Sequence, residues 1–131
     1  MWLFTKYGFY SVVEDKEVPE NVLIRARARE DLENLKALMK RFFPGSTLAT
    51  APIYDSLYSD YRYRVFVPKK DFEAVAQLLV RELDYTNFKH AVGEAGDTGR
   101  DMAYMSVWSA MRQWQQRKVT YETGKKWTSQ T

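Results

Sequence analysis

Two stretches carry arginine at every second position: "LIRARAR" over residues 23–29 and "DYRYRVFV" over residues 60–67. A β-strand sends alternate side chains to opposite faces, so Arg25 and Arg27 project from one side of their strand, and Arg62 and Arg64 from one side of theirs. Guanidinium is planar, permanently charged and able to bond an oxyanion bidentately. Four such groups on one sheet surface suit a compact anion, whereas without one they repel each other. The competing arrangement pairs each arginine with a carboxylate such as Asp60, Glu14 or Glu30 on a solvated face.

Aromatic residues crowd the same candidate strands. Trp2, Tyr61 and Tyr63 are the rings placed to flank a planar group, while Phe4, Tyr7, Phe9 and Tyr10 share the segment near Trp2. Thr5, Ser11 and Asn87 are candidates for directional hydrogen bonds, and Lys89 for a further charge. Asn87 and Lys89 sit in "DYTNFK", where capping a short helix is the plainer role.

Other chemistries lack their residues. The chain has no cysteine, which removes disulfides, thiolate metal sites and cysteine nucleophiles, and leaves the redox compartment open. Its one histidine, His90, cannot form a paired-histidine phosphodiesterase site. Gly93, Gly96 and Gly99 follow a helical segment and have no Gly-Lys-Ser/Thr element, so they read as a flexible link rather than a phosphate loop. The carboxylates show no spacing that suggests a catalytic dyad or a metal cage, and no cofactor is expected.

These residues need elements to place them. The 131 residues, 45% hydrophobic and 15% aromatic, suffice for one core and one domain. "WLFTKYGFYSVVED" favours one long strand or two short ones bent near Gly8, and "DKEVPEN" a turn. Val22, Ile24, Ala26 and Ala28 share the face opposite Leu23, Arg25, Arg27 and Arg29. From Glu30 to Phe43 the spacing of Leu32, Leu35, Leu38, Met39 and Phe42 predicts a helix, ended by Pro44 and Gly45. "STLATAPIYDSLYS" reads as a weak edge strand broken at Pro52. On the next strand Tyr61, Tyr63, Val65 and Val67 oppose Arg62, Arg64 and Phe66. A second helix follows Pro68, with Phe72, Val75, Ala76, Leu79 and Leu83 on its stripe. "DYTNFKHAV" gives a corner and short helical turn, and a third helix runs from about Asp101 to Gln115.

The expected fold class is therefore α+β: an antiparallel sheet of about four strands packed against two or three helices. The order strand, helix, strand, strand, helix from residue 22 to 83 matches most of a ferredoxin-like unit, with the N-terminal strand at the edge where a last strand would lie. Residues 1–115 form the domain and 116–131 a basic tail, in which "VTYET" and Trp127 are candidates for docking on a neighbour. The whole net charge of +3 lies in that tail, where Arg117, Lys118, Lys125 and Lys126 face Glu122 alone. A diffuse basic surface for nonspecific DNA binding is thus not indicated.

The succession "MWLFTKYGFYSVV", "RARAREDLENL", "DYRYRVFVP", "DYTNFK" and "YMSVWSAM" resembles a family of short bacterial and phage proteins, over nearly the whole chain to about residue 115. The resemblance implies one compact unit in a microbial or viral setting and carries over no activity. Neither a signal peptide nor a membrane span is expected from the opening segment, which points to a cytoplasmic protein, in the host cytoplasm if phage-encoded.

The leading expectation is a non-enzymatic protein that binds, as a sponge would, a small phosphate-containing ligand such as a nucleotide or a nucleotide-derived immune signal. The alternatives are single-stranded nucleic-acid binding on an open sheet, and a protein-interaction module that inhibits a host defence complex. A hydrolase acting on the same ligand stands behind these. A homo-oligomer is expected from the large apolar residues of the last helix, and no membrane partner.

Overall fold

The computed structural model describes residues 1–128; residues 129–131 and the side chains of Thr98 and of 122–128, including Lys125, Lys126 and Trp127, lie outside the described part. The aromatic opening forms two strands, β1 (Trp2–Phe4) and β2 (Phe9–Glu14), joined by a turn that Thr5 closes. Its Oγ1 donates to the Gly8 carbonyl at 2.9 Å and accepts from the Tyr7 and Gly8 amides at 3.1 Å each. Gly8 is there for room, because a Cβ at this position would lie 2.6 Å from the Cβ and Cγ of Asp31.

Strand β3 (Asn21–Ala26) and helix α1 (Arg29–Phe42) follow. Leu32, Leu35, Leu38 and Met39 are buried, while Phe42, expected on the same stripe, is exposed and Phe43 packs on the core instead. The next segment departs from the expected strand. Ser46 caps a short helix, α2 (Thr47–Thr50), by accepting from the Ala49 amide, and the Asp71 carboxylate accepts from the Leu48 amide at 2.8 Å. Two side-chain acceptors for otherwise unpaired amides, with Leu48 and Ala49 fully buried, fix this run as helix, in line with the helix preference of Leu and Ala. Only β4 (Tyr54–Asp55), beyond Pro52, is a strand.

Strand β5 (Tyr63–Pro68) leads into α3 (Lys69–Arg81), which buries Phe72, Val75 and Leu78; Leu83, placed on this stripe from the sequence, lies past the helix end and is exposed. Helices α4 (Phe88–Glu94) and α5 (Thr98–Thr128) complete the chain, and α5 runs on past Gln115.

The five strands form one antiparallel sheet in the order β1-β2-β3-β5-β4, so the fold is α+β. The β1–β2 hairpin occupies the side of β3 opposite β5. Val22, Ile24 and Ala26 of β3 and Val65 and Val67 of β5 turn to α1 and α3 and are buried there, as their alternation requires. The opposite face carries the arginines.

Candidate anion-binding site

Strand register aligns the open face. Trp2 pairs with Ser11, Ser11 with Arg25, Arg25 with Arg64 and Arg64 with Tyr54, which makes one row across all five strands. Arg25 and Arg64 are thus direct cross-strand neighbours, an arrangement that like charges disfavour. Neither has a carboxylate within ion-pair distance among the described residues. Arg25 donates from Nη2 to the Ser11 hydroxyl at 2.7 Å, and its guanidinium lies 4.7 Å from the centre of the Tyr61 ring. Its Nε–H is buried with no partner. Arg64 donates from Nε to the Tyr61 carbonyl at 3.2 Å.

The other two strand arginines are committed. Arg62 holds Asp55 bidentately at 2.8 and 3.0 Å, and this hydrogen bonding keeps the Asp55 carboxyl below its ordinary range and raises Arg62. Arg27 donates to the Asp60 carbonyl at 3.0 Å and to its carboxylate at 3.1 Å, with its guanidinium 4.3 Å from the Tyr61 ring centre. The expected cluster of four therefore reduces to an unpaired couple, Arg25 and Arg64, with Arg27 at the margin.

Tyr61 departs from the expected alternation. It precedes β5 and escapes the pleat, in a segment folded back by the Ser56 amide on the Arg62 carbonyl at 2.7 Å. Its ring consequently turns to the arginine face and is 5% exposed, whereas Tyr63 stays on the covered side against the core. Thr5 is occupied by its turn. Asn87 caps α4 by accepting from the His90 amide at 3.0 Å, and Lys89 lies 4.7 Å over the Trp108 ring. None of these three lines the cleft beside the arginines.

That cleft, of about 590 Å³, opens between the β1–β2 end of the open face and the first turns of α5. Its walls are Trp2, Phe4, Phe9, Tyr61, Tyr104 and Val107, with Arg27, Arg100, Asp31 and Asp97 among them, whereas Arg25 and Arg64 lie beside it and do not line it. Phe4 and Phe9 stack at 4.5 Å, Trp2 meets Phe9 edge-on at 6.1 Å, and Tyr61 lies 6.3 Å from Phe9. Trp2 remains 67% exposed, so its ring is available to a guest.

A buried ion pair holds α5 over the cleft. Arg100 grips Asp31 through both terminal nitrogens, and the Asp31 carboxylate also accepts from the Phe9 amide at 3.0 Å. Tyr10 donates to the Asp31 carbonyl at 2.7 Å, and Tyr104 to the Thr5 carbonyl at 2.9 Å. Burial raises the hydroxyl pKa of both tyrosines, Tyr10 the more strongly, and the Asp31 bond raises that of Arg100. With two partners on its carboxylate, Asp31 is a structural anchor.

Sequence reasoning missed Asp31 and Arg100 as a pair, and missed Phe4, Phe9 and Tyr104 as walls. Asp31 and Arg100 are 69 residues apart, and no local pattern joins them. Among the described residues no group of three His, Asp or Glu side chains is arranged to hold a metal ion, and no helix is long and apolar enough to cross a membrane. The arrangement can hold a planar ring against aromatic walls and an oxyanion at adjacent guanidiniums. No protein family, curated protein or solved structure matches the chain.

Proposed function

We propose that the protein binds a small phosphate-bearing ligand with a planar ring, a nucleotide or a nucleotide-derived signal, and releases it unchanged. The ring enters the aromatic cleft between Trp2, Phe9 and Tyr61, and the phosphate engages Arg25 and Arg64. The observation that carries this reading is the opposed, carboxylate-free couple Arg25–Arg64, with a buried donor of Arg25 left unsatisfied. Tyr61 joins the two halves, since its ring walls the cleft while its carbonyl accepts from Arg64. Binding without turnover makes sequestration the proposed role, in which tight binding removes a messenger by mass action.

Calorimetry with a panel of cyclic and linear nucleotides, followed by chromatography of the recovered ligand, tests this. Binding by at least one member and its recovery intact are expected. Arg25→Ala and Arg64→Ala should each weaken it roughly tenfold to a hundredfold, from the loss of charge-assisted hydrogen bonds worth about 1.5–3 kcal/mol. Absence of heat with every member refutes the reading, and appearance of product replaces it with a hydrolase.

A second reading has its own support. Phe66 and Tyr54, exposed by 40% and 54%, meet edge-on at 5.8 Å on the same face as Arg64. Rings beside a cation on an open sheet suit single-stranded nucleic acid. Oligonucleotide binding that weakens steeply with salt and is lost in Phe66→Ala would favour it over the nucleotide.

A further inference from the structure

Arg27 has more donors than its partners use. Both of its hydrogen bonds to Asp60, to the carbonyl at 3.0 Å and to the carboxylate at 3.1 Å, come from Nη1. The adjoining edge, where Nε–H and Nη2–H point in parallel, has no hydrogen bond among the described residues. Arg62 grips the Asp55 carboxylate with that same edge, and it fits two oxygens of a phosphate equally well.

The open edge is held in place. The Arg27 guanidinium lies 4.3 Å from the centre of the Tyr61 ring, and Tyr61 is buried, so the cation rests on a fixed surface while Asp60 secures one end of it. An ion pair as exposed as this one, 55% and 76%, adds little to stability. What it does is set orientation.

Arg27 belongs to the cleft wall, whereas Arg25 and Arg64 stand beside the cleft. The other cation of the wall, Arg100, has both terminal nitrogens on Asp31. Arg27 is therefore the wall arginine with an open fork. The Arg25 guanidinium lies 4.7 Å from the centre of the same Tyr61 ring, and Arg64 donates to the Tyr61 carbonyl. One residue thus gathers three guanidiniums, and the two on its ring can be no farther apart than the sum of their distances to its centre. Positions this close suit successive phosphates of one chain better than two unconnected anions, which would repel each other.

We infer that the ligand carries a diphosphate. With the ring in the cleft, the phosphate nearer the ring takes the Nε–Nη2 edge of Arg27, and the terminal phosphate takes Arg25 and Arg64. The class is nucleoside diphosphates rather than monophosphates, which reach one of the two subsites only. This rests on the nucleotide reading above and adds a second anion subsite to it.

Calorimetry with the mono- and diphosphates of each common ribonucleoside tests the inference. For at least one base the diphosphate should bind roughly tenfold to a hundredfold more tightly, the worth of one further charge-assisted contact. A diphosphate is also more highly charged, so Arg25 and Arg64 alone would favour it to some degree. Arg27→Ala separates the two causes. It should bring the two affinities to within about threefold of each other, and Arg27→Lys, which keeps the charge and loses the fork, should recover only part of the difference. Comparing the two ligands within each variant cancels any loss of stability that both would feel. Arg29→Ala, outside the cleft, should leave the preference as it is. Equal affinities in the unaltered protein, binding confined to monophosphates or cyclic nucleotides, or a preference that survives Arg27→Ala would overturn the inference and leave the nucleotide reading standing. Binding of no nucleotide at all would remove both.

Discussion

On β3, Val22, Ile24 and Ala26 turn to the helices and are at most 6% exposed, while Leu23 and Arg25, on the other side of the same backbone, stay partly open. On β5 the contrast repeats between Val65 and Val67, both fully buried, and Arg64 and Phe66. One face was built by removing apolar area from water, each side chain supporting its neighbours. The other keeps two like charges opposed, with a donor of Arg25 unsatisfied, against one hydrogen bond to Ser11 and one to the Tyr61 carbonyl. Tolerated electrostatic conflict beside a well-formed core is the mark of a surface shaped for something other than folding.

The largest effect should come from the covered face. Ile24→Ala removes a fully buried side chain between β2 and β5 and should cost about 3 kcal/mol in urea denaturation. A cost below about 1 kcal/mol would mean that this face is not the core.

The boundary between the faces should show itself at alkaline pH. Tyr10 is 1% exposed and donates to the Asp31 carbonyl, and burial, reinforced by the Asp31 charge, raises its pKa well above 10. A group that ionises more readily in the unfolded chain gives stability that is complete below the unfolded pKa, near 10, and is lost as pH rises toward the folded value. The melting temperature should therefore hold up to about pH 9 and fall beyond about pH 10. Tyr10→Phe should start lower, by roughly 1 kcal/mol for the missing hydrogen bond, and decline less steeply. An equal slope in the variant would assign the alkaline loss to other groups.

Much of the covered face is legible in the sequence, because burial against helices imposes a period of two on β3 and β5 and a helical period on α1 and α3. Local competition hides the rest. Only the two threonines of Thr47–Thr50 favour a strand; Leu48 and Ala49 favour a helix, which the Ser46 cap and the Asp71 acceptor fix, the latter a tertiary contact that no local window contains. The arginines are visible as a set but not in their partners. Arg62 meets Asp55 only because β4 pairs with β5, and Arg25 meets Arg64 only because β3 does. Tyr61 is assigned to the wrong face by strict alternation, since the strand begins two residues later. The cleft itself depends on Asp31 and Arg100, which topology alone brings together.

The smallest change in stability is the most telling for the open face. Arg64→Thr removes one of two opposed positive charges and its 3.2 Å bond to the Tyr61 carbonyl, and puts a good strand former in its place. Lost repulsion and lost hydrogen bond nearly cancel, so urea denaturation should register a shift within about 0.5 kcal/mol. The same substitution should remove most nucleotide binding. A destabilisation beyond about 2 kcal/mol would instead make Arg64 a structural residue satisfied by its neighbours. The contrast between the faces would then lose its meaning, because both would have been selected for the fold.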